Sequence, residues 1–309
     1  MVNRVLLGHF LALVSNVIWG STFISTKVLL EDFSPTAVMF IRFLLAFIII
    51  SIICPKRLPF TNVKTEVMLA LAGLCGVTCY YQLENLALMY TYASNVGVIF
   101  AIIPFFVGIE ALIWLKSEKF SMFFIIGFVI AITGICIISF NGAKNFNLNP
   151  YGDLLACIGC VVWSFYAIIV RKLSLQDVSI MLLTKRIFMY SIIFMLPCLF
   201  IFDKGINLNL NLLIKPINIS NFAYLAIGAS VCCYVAWNMA SKLIGVLATS
   251  VYIYIGPVVT VLLSIIILNE QITIVSILGV FLTLLGLFVS QCKQFIKLKT
   301  NYLHRNIDQ

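Results

Sequence analysis

In a chain that is 62% apolar and 10% charged, the polar groups standing among the apolar ones carry the chemistry. The densest cluster is Tyr80-Tyr81-Gln82-Leu83-Glu84-Asn85. At helical periodicity Tyr81, Glu84, Asn85 and Leu88 share one face, with Gln82 beside it. A carboxylate there can hold the ammonium group of a substrate. Because leaving water penalises its charge, it can also take up and release a coupling proton. A structural reading stands beside these two, in which Glu84 pairs with Lys27 or Arg42. Glu110, six residues after Pro104, is a second acid in an apolar stretch. Arg42 and Arg186 are isolated cations of the same kind. They can meet substrate carboxylates from opposite sides, or serve as gate ion pairs, carbonyl caps or snorkelling side chains.

Aromatic and amide groups extend the candidate set. Trp19 and Trp163 fall near the middle of apolar stretches rather than at their ends, where belt tryptophans gather. Tyr166, Trp237, Asn238, Tyr252 and Tyr254 add rings and hydrogen-bonding groups. A midplane pocket lined by Trp19, Tyr81, Glu84, Asn85, Trp163, Tyr166, Asn238 and Tyr252 suits a small amphipathic organic solute better than a bare ion. Pro104 and Pro257 interrupt the backbone ladder of their helices and serve helix architecture, as kinks or as hinges. No catalytic set is expected, because no Ser/His/Asp arrangement and no phosphate-binding glycine loop with its lysine occurs. Cys75/Cys79 and Cys157/Cys160 have helical spacing but no histidine or acidic cluster to complete a metal site, so they read as small packing residues. No cofactor and no metal are expected.

The elements that must position these groups are hydrophobic helices. A spanning helix needs about 20 apolar residues, and ten stretches qualify: 8–29, 35–53, 67–89, 92–115, 121–140, 152–171, 179–201, 220–241, 246–268 and 273–292. With a mean hydropathy of +1.12 and so little left outside the spans, a soluble catalytic domain has no room. The first stretch follows Arg4 as a signal peptide would, but no small-residue cleavage site follows, and it reads as an uncleaved span. The net charge of +9 is topological rather than a nucleic-acid footprint. With a cytoplasmic amino terminus, 13 of the 20 Lys and Arg residues fall inside and 3 outside (Lys144, Lys204, Lys215). Both termini are therefore expected in the cytoplasm, in a multi-pass protein of the inner or plasma membrane.

The ten spans divide into two faint copies. Gly8, Leu11, Ala12, Val17, Trp19, Ile24 and Leu29 meet identical residues 144 positions later, and Arg42 meets Arg186 in the same register. The offset becomes 153 at Asn85/Asn238, Ala87/Ala240 and Pro104/Pro257, then 152 at Glu118/Glu270, Gly127/Gly279 and Gly134/Gly286. An odd number of spans per copy turns the second upside down in the bilayer. The expected domains are a first five-helix repeat at 1–141, an external linker at 142–151, a second repeat at 152–292 and a basic cytoplasmic tail at 293–309. Glycines seven apart in spans five and ten form small-residue faces for close helix contact, within one chain or between protomers.

Three stretches together resemble the drug/metabolite transporter superfamily, specifically its EamA-type ten-helix members. They are Leu11–Lys27 (LALVSNVIWGSTFISTK), Glu84–Pro104 (ENLALMYTYASNVGVIFAIIP) and Trp237–Gly286. The resemblance implies an all-α membrane fold of two inverted five-helix repeats. It further implies a cavity among spans one, three, four, six, eight and nine, and alternating access by rocking of the repeats. Pro104/Pro257 and Glu118/Glu270 match the family pattern as helix-architecture features, whereas Glu84 stands opposite Trp237 and Glu110 opposite Leu263. The resulting expectation is a secondary transporter exporting an amino acid or related small metabolite, with Glu84, Glu110, Arg42 and Arg186 in coupling or gating. The alternatives are a multidrug or nucleotide-derivative carrier of the same fold, or a lipid-handling membrane protein. The expected partners are a small-molecule substrate, the lipid bilayer and protons as coupling ion, with no nucleic acid. Oligomeric state is left open.

Overall fold

The computed structural model of the chain describes residues 2–60, 62–90, 93–115, 121–142, 150–176, 178–203, 210–259, 263 and 274–307. Among these the architecture is helical throughout, without a strand. Ten helical spans follow in order. They are α1 (Val2–Leu29), α2 (Pro35–Ile53), α3 (Val63–Tyr90), α4 (two arms, Ala93–Phe100 and Ile103–Trp114) and α5 (Met122–Gly142). The second set is α6 (Pro150–Ser174), α7 (Ile180–Asp203), α8 (Pro216–Ile244), α9 (Val246–Val259) and α10 (Ile274–Ile307). Six are long and apolar enough to cross a bilayer, and α4, α5, α9 and α10 contain shorter apolar helices. Glu118 and Glu270 lie outside the described residues.

Local chemistry explains where these helices begin. Ser34 caps α2 by accepting the Ala37 amide at 3.1 Å, with Pro35 in the first turn, where its missing N–H is not needed. Asn62 caps α3 by accepting the Thr65 amide at 2.8 Å. Between α8 and α9 the chain turns on Gly245, whose φ of 92° favours a residue without a side chain. Pro104 does not break the middle of a continuous helix. The interruption falls at Ala101–Ile102, and Pro104 sits in the first turn of the second arm of α4.

The two copies place their helices alike. Helix α1 packs against α8 as α6 packs against α3, while α2 meets α7 and α5 meets α10. The α5–α10 contact is where the glycine faces go. A side-chain carbon on Gly127 would lie 2.5 Å from the Gly286 carbonyl, and one on Gly134 would lie 2.6 Å from that of Gly279. These glycines bring two backbones of one chain together. Helices α3 and α8 share a second device: each widens into a π-helical segment, at Leu74–Cys79 and Tyr224–Cys232. Outward-facing Phe10, Ile52, Val129, Phe200 and Phe281 form the apolar surface that lipid must cover, whereas the interior is aromatic.

Candidate functional site

The aromatic interior opens into a cavity. Helix α1 presents Asn16, Trp19, Gly20 and Phe23 on a single face, at the i, i+3, i+4, i+7 spacing of a helical stripe. Tyr80, Tyr81 and Glu84 come from α3, Gly97, Phe100 and Ile103 from α4, Trp163 from α6, and Ile253, Gly256 and Pro257 from α9. Its free volume is about 70 Å³, room for about five ordered waters at roughly 10–15 Å³ each.

The rings are held by one another and by the π segments. Trp19 and Trp163, equivalent residues of the two copies, meet edge to face with centroids 6.4 Å apart. Tyr80 lies 6.3 Å from Trp163 and 5.6 Å from Phe100. The Trp19 indole N–H donates to the Ala229 carbonyl at 2.8 Å, inside the π segment of α8. The Tyr234 hydroxyl donates to the Gly76 carbonyl at 2.7 Å, inside the π segment of α3. Gly76 and Ala229 are 153 positions apart, so the repeat reproduces the device. A π turn shifts the backbone ladder and leaves carbonyls for side-chain donors.

Glu84 reaches the cavity from α3, buried to 4% exposure, with its carboxyl beside the Tyr80 hydroxyl. The structural alternative for it, an ion pair with Lys27 or Arg42, is not formed at contact distance among the described residues. Lys27 is exposed, and Arg42 is engaged elsewhere. Arg42 donates from Nε to the Ser230 Oγ at 2.8 Å and from Nη2 to the Tyr81 hydroxyl at 3.2 Å. Its guanidinium also lies 4.5 Å from the Tyr81 ring centre and 5.2 Å from that of Phe43. Arg42 is thus a buried cation balanced by rings and hydroxyls, and it does not line the cavity.

Arg186 behaves differently from its repeat mate. It donates to the Leu58 carbonyl at 3.0 Å and pairs with Glu66 at 3.2 Å, while the Tyr190 hydroxyl donates to the same carboxylate at 2.5 Å. Lys185 caps the Cys54 and Lys56 carbonyls at 2.7 and 2.9 Å. These contacts fasten the 54–60 loop and the start of α3 to α7. At the opposite face of the bundle Asp32 pairs with Lys215 at 3.0 Å and accepts from Asn218 at 2.7 Å, and Ser34 donates to Asp203. The Asn218 and Lys215 hydrogen bonds hold the Asp32 carboxyl below its ordinary range.

The remaining polar candidates lie outside the lining. Asn85 donates to the Pro35 carbonyl at 3.0 Å. Tyr166 donates to Asn238 at 2.8 Å, and Asn238 donates to Thr184 at 3.0 Å, which ties α6, α8 and α7 together. Tyr252 hydrogen-bonds His9 at 2.9 Å. Glu110 accepts from Ser164 at 2.6 Å, between α4 and α6. Pro257 lines the cavity and Pro104 does not. Sequence reasoning passed over Asn16, Phe23, Tyr80 and Phe100 as lining groups. The stripe through Asn16 and Trp19 was the available signal for the first two.

Residues 6–140 and 150–291 match the profile of the EamA-like transporter family. A protein of Archaeoglobus fulgidus described as an uncharacterized transporter is 26% identical, over 93% of this chain and 98% of its own length. The transporter YyaM of Bacillus subtilis, also described as uncharacterized, is 25% identical, over 91% of this chain and 92% of its own. YedA of Escherichia coli, described as an uncharacterized inner membrane transporter, is 24% identical, over 80% and 78%. One solved crystal structure shares the fold with a TM-score of 0.75 at 17% identity, covering 94% of this chain and 96% of that one.

Proposed function

The chain belongs to the EamA-like transporter family and is a multi-pass membrane transporter, and from that premise we propose that it is a secondary active transporter exporting an amino acid or related small metabolite by alternating access. The observation that carries this reading is the aromatic cavity with one carboxylate, Glu84, set among five helices drawn from both repeats. A substrate amine meets Glu84 while the rings of Trp19, Tyr80 and Trp163 exclude water around it. The repeats 1–141 and 152–292 rock about this site. Both termini face the cytoplasm, so the clasp of Arg186 with Glu66 lies inside and that of Asp32 with Lys215 outside. Protons are the coupling ion, carried by Glu84, with Glu110 as a second buried acid in the same half.

The test is efflux from liposomes containing purified full-length protein, loaded with a metabolite mixture and read by mass spectrometry. Release of a small amine faster than from protein-free liposomes, increased by an opposing proton gradient, is the expected result. Flux equal to that of protein-free liposomes for every solute sinks the reading.

A further inference from the structure

The charge balance of the cavity bears on what it recognises. Among the described lining residues Glu84 is the one formally charged side chain, and no lysine or arginine joins it. Arg42, itself outside the lining, acts on Glu84 through space only, since its guanidinium donates to Ser230 and Tyr81 and lies against two ring faces. Lys185, Arg186, Lys215, Arg171 and Lys242 cap carbonyls or pair with acids, and none of them lines the cavity. Trp19, Tyr80, Phe100 and Trp163 supply aromatic surface beside the one carboxylate. Aromatic faces attract cations through the ring quadrupole, and more strongly where water is excluded. A carboxylate brought into the same space finds no lysine or arginine among the described lining residues to pair with, so its desolvation is poorly compensated.

We propose that the cavity takes a compact organic monocation, a protonated amine or small quaternary ammonium, in preference to zwitterions and anions. This rests on the transport reading and, of the two substrate classes named there, keeps the related amine metabolite and sets aside the amino acid, whose free carboxylate makes it a poor ligand; the matching amine or amide is a good one. In the bound state the cationic nitrogen sits between Glu84 and the rings of Trp19, Tyr80 and Trp163. The alkyl part of the ligand points towards Phe100 and Ile103.

The test compares matched probes on the full-length protein in liposomes. Three of the four tryptophans, Trp19, Trp163 and Trp237, cluster at this site, so intrinsic fluorescence reports binding independently of transport. The probes are glycinamide against glycine, then tetramethylammonium against acetate. Glycinamide and tetramethylammonium are expected to bind at least tenfold more tightly than glycine, and acetate not to bind. Glu84→Gln is expected to bring the glycinamide-to-glycine ratio close to one. Trp163→Leu is expected to weaken both cations several-fold and to leave acetate unbound. If glycine binds as well as glycinamide in the wild-type protein, the inference is overturned whether or not either variant folds. Cation binding without flux keeps the inference and removes the transport reading. Flux of glycine equal to that of glycinamide does the reverse.

Discussion

Helices α3 and α8 occupy equivalent places in the two repeats, and their agreement and their difference have separate physical roots. Both carry a π segment whose carbonyl, on Gly76 or Ala229, accepts a side-chain donor from the other repeat. Both carry a tyrosine and an asparagine at matching positions, Tyr81/Tyr234 and Asn85/Asn238. Where α3 places Glu84 against the cavity, α8 places Trp237, fully buried, 4.8 Å from Trp163 and 6.5 Å from Trp19. One repeat opens a charged site, and the other fills the same position with an indole that backs the rings. Duplication preserved the backbone geometry, and the side chains at one position gave the halves different work.

The most severe way to break this comparison is to neutralise its charged member. Glu84→Gln is expected to lower amine efflux at least thirtyfold, since truncating a buried charged partner costs about 2–5 kcal/mol. Trp237→Phe, which keeps a ring at the equivalent site, is expected to change efflux less than threefold, at the cost of some thermal stability. Initial rates in liposomes decide the matter, and equal losses in the two variants would show that the halves share recognition evenly. A smaller effect separates the π segments themselves. A side-chain carbon on Gly76 would come within 2.1 Å of the Tyr166 ring, so Gly76→Ala should destabilise by about 1–3 kcal/mol through overpacking. Its mate already carries that carbon, and Ala229→Gly should cost no more than about 1 kcal/mol. Thermal melting in detergent compares the pair directly.

Much of this arrangement was legible in the residues. Ten apolar stretches predicted ten spans, because each helix in a bilayer must satisfy its own backbone and show hydrocarbon to lipid. Trp19, Tyr81, Glu84 and Trp163 were singled out by residue type, and all four reach the cavity. Phe23 and Phe100 were not, since another ring in an apolar chain carries no periodic contrast. Asn85 and Asn238 looked like ligand groups because their partners are distant in sequence: the Pro35 carbonyl for one, Tyr166 and Thr184 for the other. For Arg42 the expected roles were substrate carboxylates, gate ion pairs, carbonyl capping or snorkelling. It found ring faces and a serine hydroxyl 188 positions away, a solution that no spacing rule encodes.

The hydrogen bonds into the two π segments offer a finer comparison. Trp19→Phe and Tyr234→Phe each remove one donor from a backbone carbonyl, for about 0.5–1.5 kcal/mol of stability. The melting losses should therefore be alike. Efflux should fall further in Trp19→Phe, because Trp19 lines the cavity and Tyr234 does not. If efflux falls equally in both, the π-segment contact rather than the lining ring controls transport.

The smallest effect is expected at the polar clasps, where the halves also differ. Glu66 is held by Arg186 and Tyr190 on the end of α3, with its side chain 11% exposed, whereas Asp32 is held by Lys215 and Asn218 in a loop and is 23% exposed. Solvent screening weakens the second clasp more than the first. Asp32 titrates below its ordinary value of 3.8 in the folded chain, so its folded pKa is depressed relative to the unfolded state. The stability it contributes is fully present above the unfolded value and is lost as pH falls through the lower, folded one. Asp32→Asn should therefore lower the melting temperature slightly at pH 7, by the same amount at pH 5, and by progressively less below pH 3.8. Glu66→Gln should lower it more at pH 7, because it leaves Arg186 without its carboxylate beside the membrane. A deficit in Asp32→Asn that persists unchanged at pH 3 would assign the loop contact to shape and hydrogen bonding rather than charge. The two clasps would then differ only in exposure.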